Sequence, residues 1–599
     1  MILVLGGTTE GRSCVQVLDE AGRPFFYATR FGDQQVESKN GIRVDGGMDA
    51  VQMQMFIHEH GVSLLIDAAH PFAMQLHRNA VEAASATGIP VCRYERCFPA
   101  KDPRLIYCSS YHEAVKRLRQ DRVGKLLALT GVQTIAKLRE YWSDHPLTFF
   151  RILDRDSSRQ LAKSQGFPME RICYFEGGAE AEYHLLEKQR PEAILTKESG
   201  ESGFFAEKVD AALRLGIRVY VVCRPKLPDG YVRVFEGPVG LRLAVDSFLP
   251  MFFDQRIGLT TGTSATAAAK AALLFRLRGR VEREVLVALP KTGERVPLSV
   301  TRIESDGAHV RATVCKDGGD DPDSTHGTPV VADVYLPVEQ DSHQPFVRID
   351  GGEGIGRISL PGFDLPIGSA AINVVPRQMI TKEIEQLLPG RPVEVTISVP
   401  HGRSIGPRTF NPRLGITGGI SIIGTTGVVR PFSNEAFVAS IERSVDVALA
   451  VGGDTVVINS GGKSEHKLKA LYPDLPPHCF VQYGNFIGET LQMLNKRRVP
   501  KIVMGIMIGK AVKLAEGKLD THSHKVVMNK KFLLRMAVDA GCSTETMDRI
   551  KGMNMARQIL SDLSEDDRDR MLTAVEYHCY RVCKPLVPHA ELSIRLVKD

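Results

Sequence analysis

Ile2-Leu3-Val4-Leu5-Gly6-Gly7-Thr8-Thr9-Glu10-Gly11-Arg12 opens the chain, and its reading decides the architecture of the amino-terminal half. Four apolar residues give a strand buried on both faces, and the Gly-rich turn leads into Cys14, Val15, Val17, Leu18 and Ala21 on one helical face before Gly22 stops the helix. That is one β-α unit of a parallel sheet, and the pattern recurs. Phe25 to Ala28 reads as the next strand, Val62 to Ile66 as a strand followed by a helix after Pro71, and Val91 to Tyr94 as a strand after the Gly88 stop. A charged, irregular stretch from about Cys97 to Gly124 reads as a connection between two lobes. The second lobe restarts with Lys125 to Leu129, Thr148 to Ile152, Ala193 to Thr196 and Ile217 to Val222, and ends in an amphipathic stretch from Leu241 to Leu249. The expectation is two α/β lobes, about residues 1–97 and 124–250.

Near Met251-Phe252-Phe253-Asp254 the texture changes. An Ala-rich helix, Ser264 to Leu274, precedes alternating strand-like runs such as Val285 to Leu289 and His309 to Val314, so 255–400 reads as α+β. Val456 to Asn459 and Ile502 to Met504 then alternate with helical segments, and Ser543 to Lys584 reads as helical, so 401–599 reads as α/β with carboxy-terminal helices. The fold class is α/β and α+β, multidomain. A length of 599 residues agrees, since a domain takes about 150.

Composition excludes several classes. Hydrophobic residues at 43%, charged residues at 24% and a mean hydropathy of -0.10 describe a globular protein, neither disordered nor membrane-spanning. Seventy-six basic and 70 acidic residues leave +6, which with a single Trp argues against a nucleic-acid partner and fits a small polyanionic substrate. Eleven Cys without a C-x-x-C pair make neither a disulfide framework nor a zinc ribbon, so a reducing compartment and, with no leader or spanning run, the cytoplasm are expected.

Gly6, Gly7, Thr8, Thr9, Gly11 and Arg12 sit where backbone N–H groups and the helix dipole favour a phosphate. The string departs from G-x-G-x-x-G at Thr8, and it matches the P-loop only if Arg12 replaces Lys, so a nucleotide, an NTP-dependent kinase and a turn without ligand all stay open. The second strand ends in Thr29-Arg30 without the acid that binds a ribose 2′-hydroxyl, which favours NADPH over NADH through Arg30. His70, in Asp67-Ala68-Ala69-His70-Pro71-Phe72-Ala73 at a strand's carboxyl end, is a candidate acid or substrate contact, with a helix-capping loop as the alternative.

In the second half, Thr260, Thr261, Gly262 and Thr263 run into the Ala-rich helix, a place suited to substrate carboxylates. Arg357, Arg377, Arg413, Thr417 and Gly418 lie in Gly-rich loops, where guanidinium groups beside flexible backbone suit several carboxylates. Gly461, Gly462, Lys463, Ser464 and Glu465 follow a strand and precede a helix, a position for S-adenosylmethionine, with an ordinary tight turn as the alternative. No metal site is expected: the acids of Lys316 to Asp323 lack the EF-hand order, and His578, Cys579 and Cys583 lack a fourth ligand.

The strings GGTTEGR (6–12), DAAHPFA (67–73), LTGVQ (129–133) and TKESG (196–200), with Lys208 and Arg224-Pro225 downstream, resemble the precorrin-6A reductases of cobalamin biosynthesis, CobK and CbiJ, over about residues 1–250. GLTTGTSATAAAKAA (258–272), KDGGDDPD (316–323), NPRLGITGG (411–419), GTTGVVRP (424–431), INSGGKSE (458–465) and GKAVKLAEGKLDTHSHK (509–525) resemble the cobalt-precorrin-5B C1-methyltransferases, the CbiD family, over about 255–599. His524-Lys525 departs from that pattern, which has Arg after Thr-His-Ser. The resemblance implies that the two lobes of the first half are Rossmann-like and that the chain is a fused bifunctional enzyme. Its second half transfers a methyl group from S-adenosylmethionine to ring carbon C1 of cobalt-precorrin-5B, and its first half reduces the product with NADPH or NADH. It also implies a carboxylate-rich tetrapyrrole substrate, no nucleic acid or membrane partner, and a homo-oligomer as an option. A non-catalytic corrinoid or nucleotide carrier is the rival reading.

Overall fold

Ile2 and Val4 point into one apolar cluster with Cys14, Leu18 and Leu241, while Leu3 and Leu5 point into another with Met53, Ile57 and Ala83. A strand buried on both faces needs helices on both sides, the condition under which parallel sheets form. The computed structural model describes residues 1–30, 36–200, 203–337, 346–521 and 528–597, and falls into two compact units: Met1–Arg256 with Gly293–Val296, and Ile257–Thr292 with Pro297–Asp599.

The first unit holds two six-stranded sheets, both parallel throughout. The first runs, in spatial order, Arg233–Glu236, Val91–Glu95, Leu64–Asp67, Ile2–Leu5, Phe25–Thr29, Gly41–Asp45. The second runs Ile106–Cys108, Arg218–Val222, Ala193–Lys197, Leu126–Ala128, Thr148–Ile152, Ile172–Tyr174. In each sheet the strand order reverses beside a Gly loop: Ile2–Leu5 against Leu64–Asp67, and Leu126–Ala128 against Ala193–Lys197. Ligands of open α/β sheets bind outside the carboxyl ends at such a point.

Two boundaries differ from the sequence expectation. The charged stretch from Cys97 to Gly124 is not a bare connection: it contributes the Ile106–Cys108 strand and the helix Tyr111–Gln120 to the second sheet's layer. The chain also leaves the second sheet before residue 250. Arg233–Glu236 pairs with Val91–Glu95 at the edge of the first sheet, and Leu241, Ala244 and Val245 of the helix Gly237–Phe248 join the first sheet's core. The first sheet thus receives its edge strand after the chain has passed through the second.

In the second unit the helix Thr261–Arg278 is buried along almost its whole length, which explains its Ala-rich composition: only small side chains let backbone approach on every side. A five-stranded sheet, Arg302–Ser305, His309–Cys315, Pro329–Tyr335, Val393–Ser398 and Val347–Gly351, is antiparallel except for its last pair. The α+β part extends past residue 400, because Ile416–Thr417 pairs with Arg357–Ile358 and Val428–Val429 with Gly258–Leu259. After the helix Asn434–Ala450 comes a four-stranded parallel sheet in the order Phe480–Gln482, Thr455–Asn459, Lys501–Met507, Glu591–Val597. Its last strand follows the helices Thr544–Gly552, Gln558–Ser561 and Glu565–Cys583 and does not stand out in the sequence. Among the described residues no helix is long and apolar enough to cross a membrane.

Candidate functional sites

In the first unit the Gly6–Gly11 turn is shaped by contact, not by composition alone. A Cβ on Gly6 would clash with the Tyr27 ring at 2.2 Å and one on Gly11 would meet the Gly6 backbone at 2.8 Å, whereas around Gly7, at φ +90°, nothing lies within 4 Å. Thr8 caps the helix Thr9–Asp19, accepting from the Gly11 N–H at 3.0 Å, and its hydroxyl donates to the Ala68 carbonyl at 2.6 Å. The two loops flanking the strand reversal are therefore joined. Thr9 and Arg12 are exposed on the first helical turn, and Arg30 is exposed at the end of Phe25–Thr29. An acid does stand close by, but on the next strand: Asp45 accepts from the Thr29 hydroxyl at 3.4 Å and from Arg43 at 2.8 Å.

Behind this edge is a buried charge cluster that the sequence reading missed. The Asp67 carboxylate, fully buried, meets His77 Nδ1 at 2.6 Å and accepts from Arg93 at 3.0 Å, the Tyr231 hydroxyl at 2.6 Å and the Ala69 N–H at 3.0 Å. Burial opposes its charge, but His77 and Arg93 outweigh burial and hold the carboxyl well below the usual range. The available signal was Arg93, a charged residue inside the apolar run Val91 to Tyr94. His77 Nε2 lies 3.1 Å from the His70 carbonyl, and His70 Nδ1 accepts from the Phe72 N–H at 3.2 Å, so the proton of the neutral ring is on Nε2. Burial, then Lys197 and Arg96, push His70 down to about 3. A protonated acid at His70 is therefore corrected to a neutral hydrogen-bond donor.

The second sheet supplies a facing edge. Arg96 donates to Glu10 at 3.0 Å and to the Ser199 carbonyl at 2.7 Å, tying the first helix to the 196–200 loop. Lys197 lies over the Phe72 ring, 5.5 Å from its centroid, and burial, then Lys137 and Arg96, lower its ammonium to about 8. Lys208 donates to the Gly203 carbonyl at 2.6 Å and is likewise brought to about 8, by burial and then Arg151.

In the second unit the hydroxyls at the start of the Ala-rich helix turn inward. Thr260 caps the helix by accepting from the Thr263 N–H at 3.2 Å, Thr263 donates to the Gly427 carbonyl at 2.7 Å, and Thr261 both donates to the Ile423 carbonyl and accepts from its N–H. A Cβ on Gly262 would meet Pro376 at 2.7 Å. Substrate contact through Thr260, Thr261, Gly262 and Thr263 is corrected to a structural clasp on residues 423–427, because the three hydroxyls are spent and the Gly262 N–H donates to the Ile423 carbonyl at 2.9 Å. Arg377 is corrected likewise: its guanidinium donates to the carbonyls of Ile372, Ile349 and Ala370. In the 316–323 loop, Asp317 and Asp323 accept from N–H groups two residues on, at 2.9 and 2.8 Å, and Lys316 reaches Asp323 at 2.6 Å. Cys579 and Cys583 are fully buried in the apolar core.

Arg357, paired with Asp350 at 2.7 Å, sits opposite Thr417 in the strand register, with exposed Gly418 next to it. Arg413, from the same 411–419 segment, meets Glu465 at 2.5 Å, which links the segment that carries these expected substrate residues to the expected cofactor loop. Glu465 also takes Lys469 and Gln482, each at 2.8 Å; burial opposes its charge but these hydrogen bonds lower its pKa. The expected ribose contact is therefore corrected: the carboxylate is a strut between Arg413 and the helix. Gly461 and Gly462 have no atom within 4 Å of an added Cβ, Ser464 fastens the turn by accepting from the Gly461 N–H at 3.1 Å, and Gly462 and Lys463 line a cavity of about 500 Å³ with His466, Lys467, Met507 and Val597. His524 and Lys525 lie outside the described residues.

Three family models match the chain: precorrin-6x reductase CbiJ/CobK over residues 1–238, CbiD over 251–431, and the CbiD C-terminal domain over 520–598. The cobalt-precorrin-5B C(1)-methyltransferase of Geobacillus sp. (strain WCH70) is 41% identical over 328 residues, 54% of this chain and 88% of that protein. The enzyme of the same name from Prosthecochloris aestuarii is 38% identical over 350 residues, 57% of this chain and 94% of that protein. A solved CobK precorrin-6A reductase is 23% identical, covering 41% of this chain and 96% of its own, with a TM-score of 0.35. The chain belongs to the cobalt-precorrin-5B C(1)-methyltransferase family and carries a precorrin-6x reductase CbiJ/CobK domain ahead of the methyltransferase on the same polypeptide.

Proposed function

We propose that this bifunctional enzyme of cobalamin biosynthesis performs two consecutive steps: S-adenosylmethionine-dependent methylation of cobalt-precorrin-5B at C1, and NADPH-dependent reduction of the resulting cobalt-precorrin-6A. The observation that carries the reading is the succession on one chain of the CbiJ/CobK match over 1–238 and the two CbiD matches over 251–431 and 520–598. When bound, the nicotinamide supplies a hydride and the sulfonium a methyl group; the chain supplies orientation and electrostatics.

The two six-stranded sheets are read as Rossmann-like lobes. Gly7 is open where a phosphate would approach the Thr9–Asp19 helix, and Arg12 and Arg30 stand exposed beside it, which fits a phosphorylated dinucleotide. In the second unit, the open Gly461-Gly462 turn and the cavity at the carboxyl ends of Lys501–Met507 and Glu591–Val597 fit a small cofactor with a carboxylate, for which Lys463 is the nearest cation in the turn. Arg357, Arg413, Thr417 and Gly418 are the proposed contacts for substrate carboxylates, and His70 the proposed neutral donor in the reductase site. A cytoplasmic enzyme without nucleic-acid partners completes the reading.

The test is turnover by the full chain. With cobalt-precorrin-5B and S-adenosylmethionine alone the product gains one methyl group; adding NADPH makes it gain two further hydrogens. Methylation without reduction in the presence of both cofactors would refute the second activity, and no methylation would refute the first.

A further inference from the structure

Lys197 ends the Ala193–Lys197 strand at the reversal point of the second sheet, two residues from the Ser199 carbonyl that Arg96 ties to Glu10 on the first sheet's helix. Its side chain is half-buried and lies on the face of Phe72, which belongs to the same loop as His70. Every charged neighbour that acts on it is a cation: Lys137 from the second sheet's helical layer and Arg96 from the first lobe, while Lys197 in turn acts on His70 and Lys208. Among the described residues no carboxylate pairs with it. A half-buried ammonium among cations is held at a cost unless its proton or its charge is used.

We propose that Lys197 is the proton donor of the reductase reaction, delivering the second hydrogen to the macrocycle where the carboxyl-end loops of the two sheets of the first unit meet. The inference rests on the reductase reading above. Reducing a double bond takes two electrons and two hydrogens. The hydride of that reaction brings both electrons and one hydrogen; the Nζ–H bond of Lys197 breaks to give the other as a proton, and its electron pair stays on nitrogen as a neutral amine that solvent reprotonates. The other groups at this edge serve less well. His70 is neutral, with burial holding its pKa at about 3, Arg96 is a guanidinium that keeps its proton, and Lys208 is spent on the Gly203 carbonyl. Lys197, lowered to about 8 by burial and its cationic neighbours, is a protonated amine near neutral pH with a small cost of giving the proton up.

The experiment measures NADPH oxidation by the full chain on cobalt-precorrin-6A. In the parent, kcat should fall as pH rises through about 8 and show a solvent deuterium isotope effect. Lys197→Arg keeps the positive charge but cannot release a proton near neutrality, so kcat should drop about 100-fold or more with KM nearly unchanged, and the fall above pH 8 should disappear. If the arginine variant turns over within about threefold of the parent, or if it loses KM and leaves kcat intact, the lysine only binds a carboxylate and the proposal is overturned. If that variant misfolds, the parent decides: a flat kcat profile between about pH 6 and about pH 10, or no isotope effect, overturns it. A parent that oxidises no NADPH would instead overturn the reductase reading itself.

Discussion

Asp67→Asn should destabilise the first unit by about 3 kcal/mol, and the value follows from what the carboxylate holds. Asp67, His77 and Arg93 have side chains with 0% exposure, and Asp67 bridges the other two while also accepting from Tyr231. Removing one partner of a buried ion pair costs about 3–5 kcal/mol, because the other charge is left without a counter-ion in a medium that solvates it poorly. The lower end applies, since Arg93 keeps Glu95 at 3.4 Å. Two-state analysis does not hold for a chain of several domains, so the assay is hydrogen exchange of peptides from the Ile2–Leu5 and Leu64–Asp67 strands in the full chain. Their protection should fall about 100-fold or more. Asp67→Asn with Arg93→Met, which removes both charges, should recover at least half of the loss. The sign with pH is fixed too. A carboxyl held far below its unfolded value, about 4, contributes stability that is present above pH 4 and is lost as pH falls below it, so the variant should lose less on acidification than the parent. Protection within about fivefold of the parent, or a double variant worse than the single, would refute a charge-coupled cluster.

Gly462→Ala has room, with nothing within 4 Å of the new Cβ, so stability should stay within about 0.5 kcal/mol while S-adenosylhomocysteine binding measured by calorimetry weakens about tenfold; unchanged affinity moves the cofactor site toward residues 417–427. Arg30→Ala should lose about 1–3 kcal/mol of NADPH affinity and leave NADH affinity unchanged; equal binding of both by the parent would instead point to Asp45 as a reader of the ribose. Asp567, which accepts from the Ser543 N–H and hydroxyl and the Thr546 hydroxyl, is held at about 2 by those bonds, so its contribution is present above about pH 4 and lost as pH falls through about 2. Asp567→Asn should remove that part of the acid dependence, checked by thermal unfolding between those pH values.

The strands buried on both faces were legible because nothing outside them decides their character: Ile2–Leu5 and Thr148–Ile152 match the apolar runs that predict them to the residue. Ile106–Cys108 and Arg233–Glu236 were not, for a common reason. Each is short and placed at a sheet edge, and its partner, Val222 for the one and Glu95 for the other, lies more than 100 residues away in sequence. Hydrophobic period reports burial; it does not report which sheet an edge strand joins. The Glu591–Val597 strand escaped likewise, since its pairing with Lys501–Met507 is set by the helices folded between them.

The site was half legible, and glycine shows where the limit lies. Gly354 and Gly419 look like flexible ligand loops, yet a Cβ on Gly354 would meet the Val399 carbonyl at 2.0 Å, and one on Gly419 would meet the Gly354 carbonyl at 2.2 Å. They are glycines because backbone crosses backbone there. Gly7 and Gly462 are glycines facing empty space, which is what a close approach of ligand to main chain needs. The same distinction separates Thr263, whose hydroxyl is consumed by Gly427, from exposed Thr417, and Arg377, consumed by three carbonyls, from Arg413, whose pairing with Glu465 links the 411–419 segment to the helix after the Gly461-Gly462 turn. Residue type gives the chemistry a side chain can perform; only its partners decide whether that chemistry is still available, and it is on that ground that we propose the open turns at Gly7 and Gly462, at the carboxyl edges of parallel sheets, for the two cofactors.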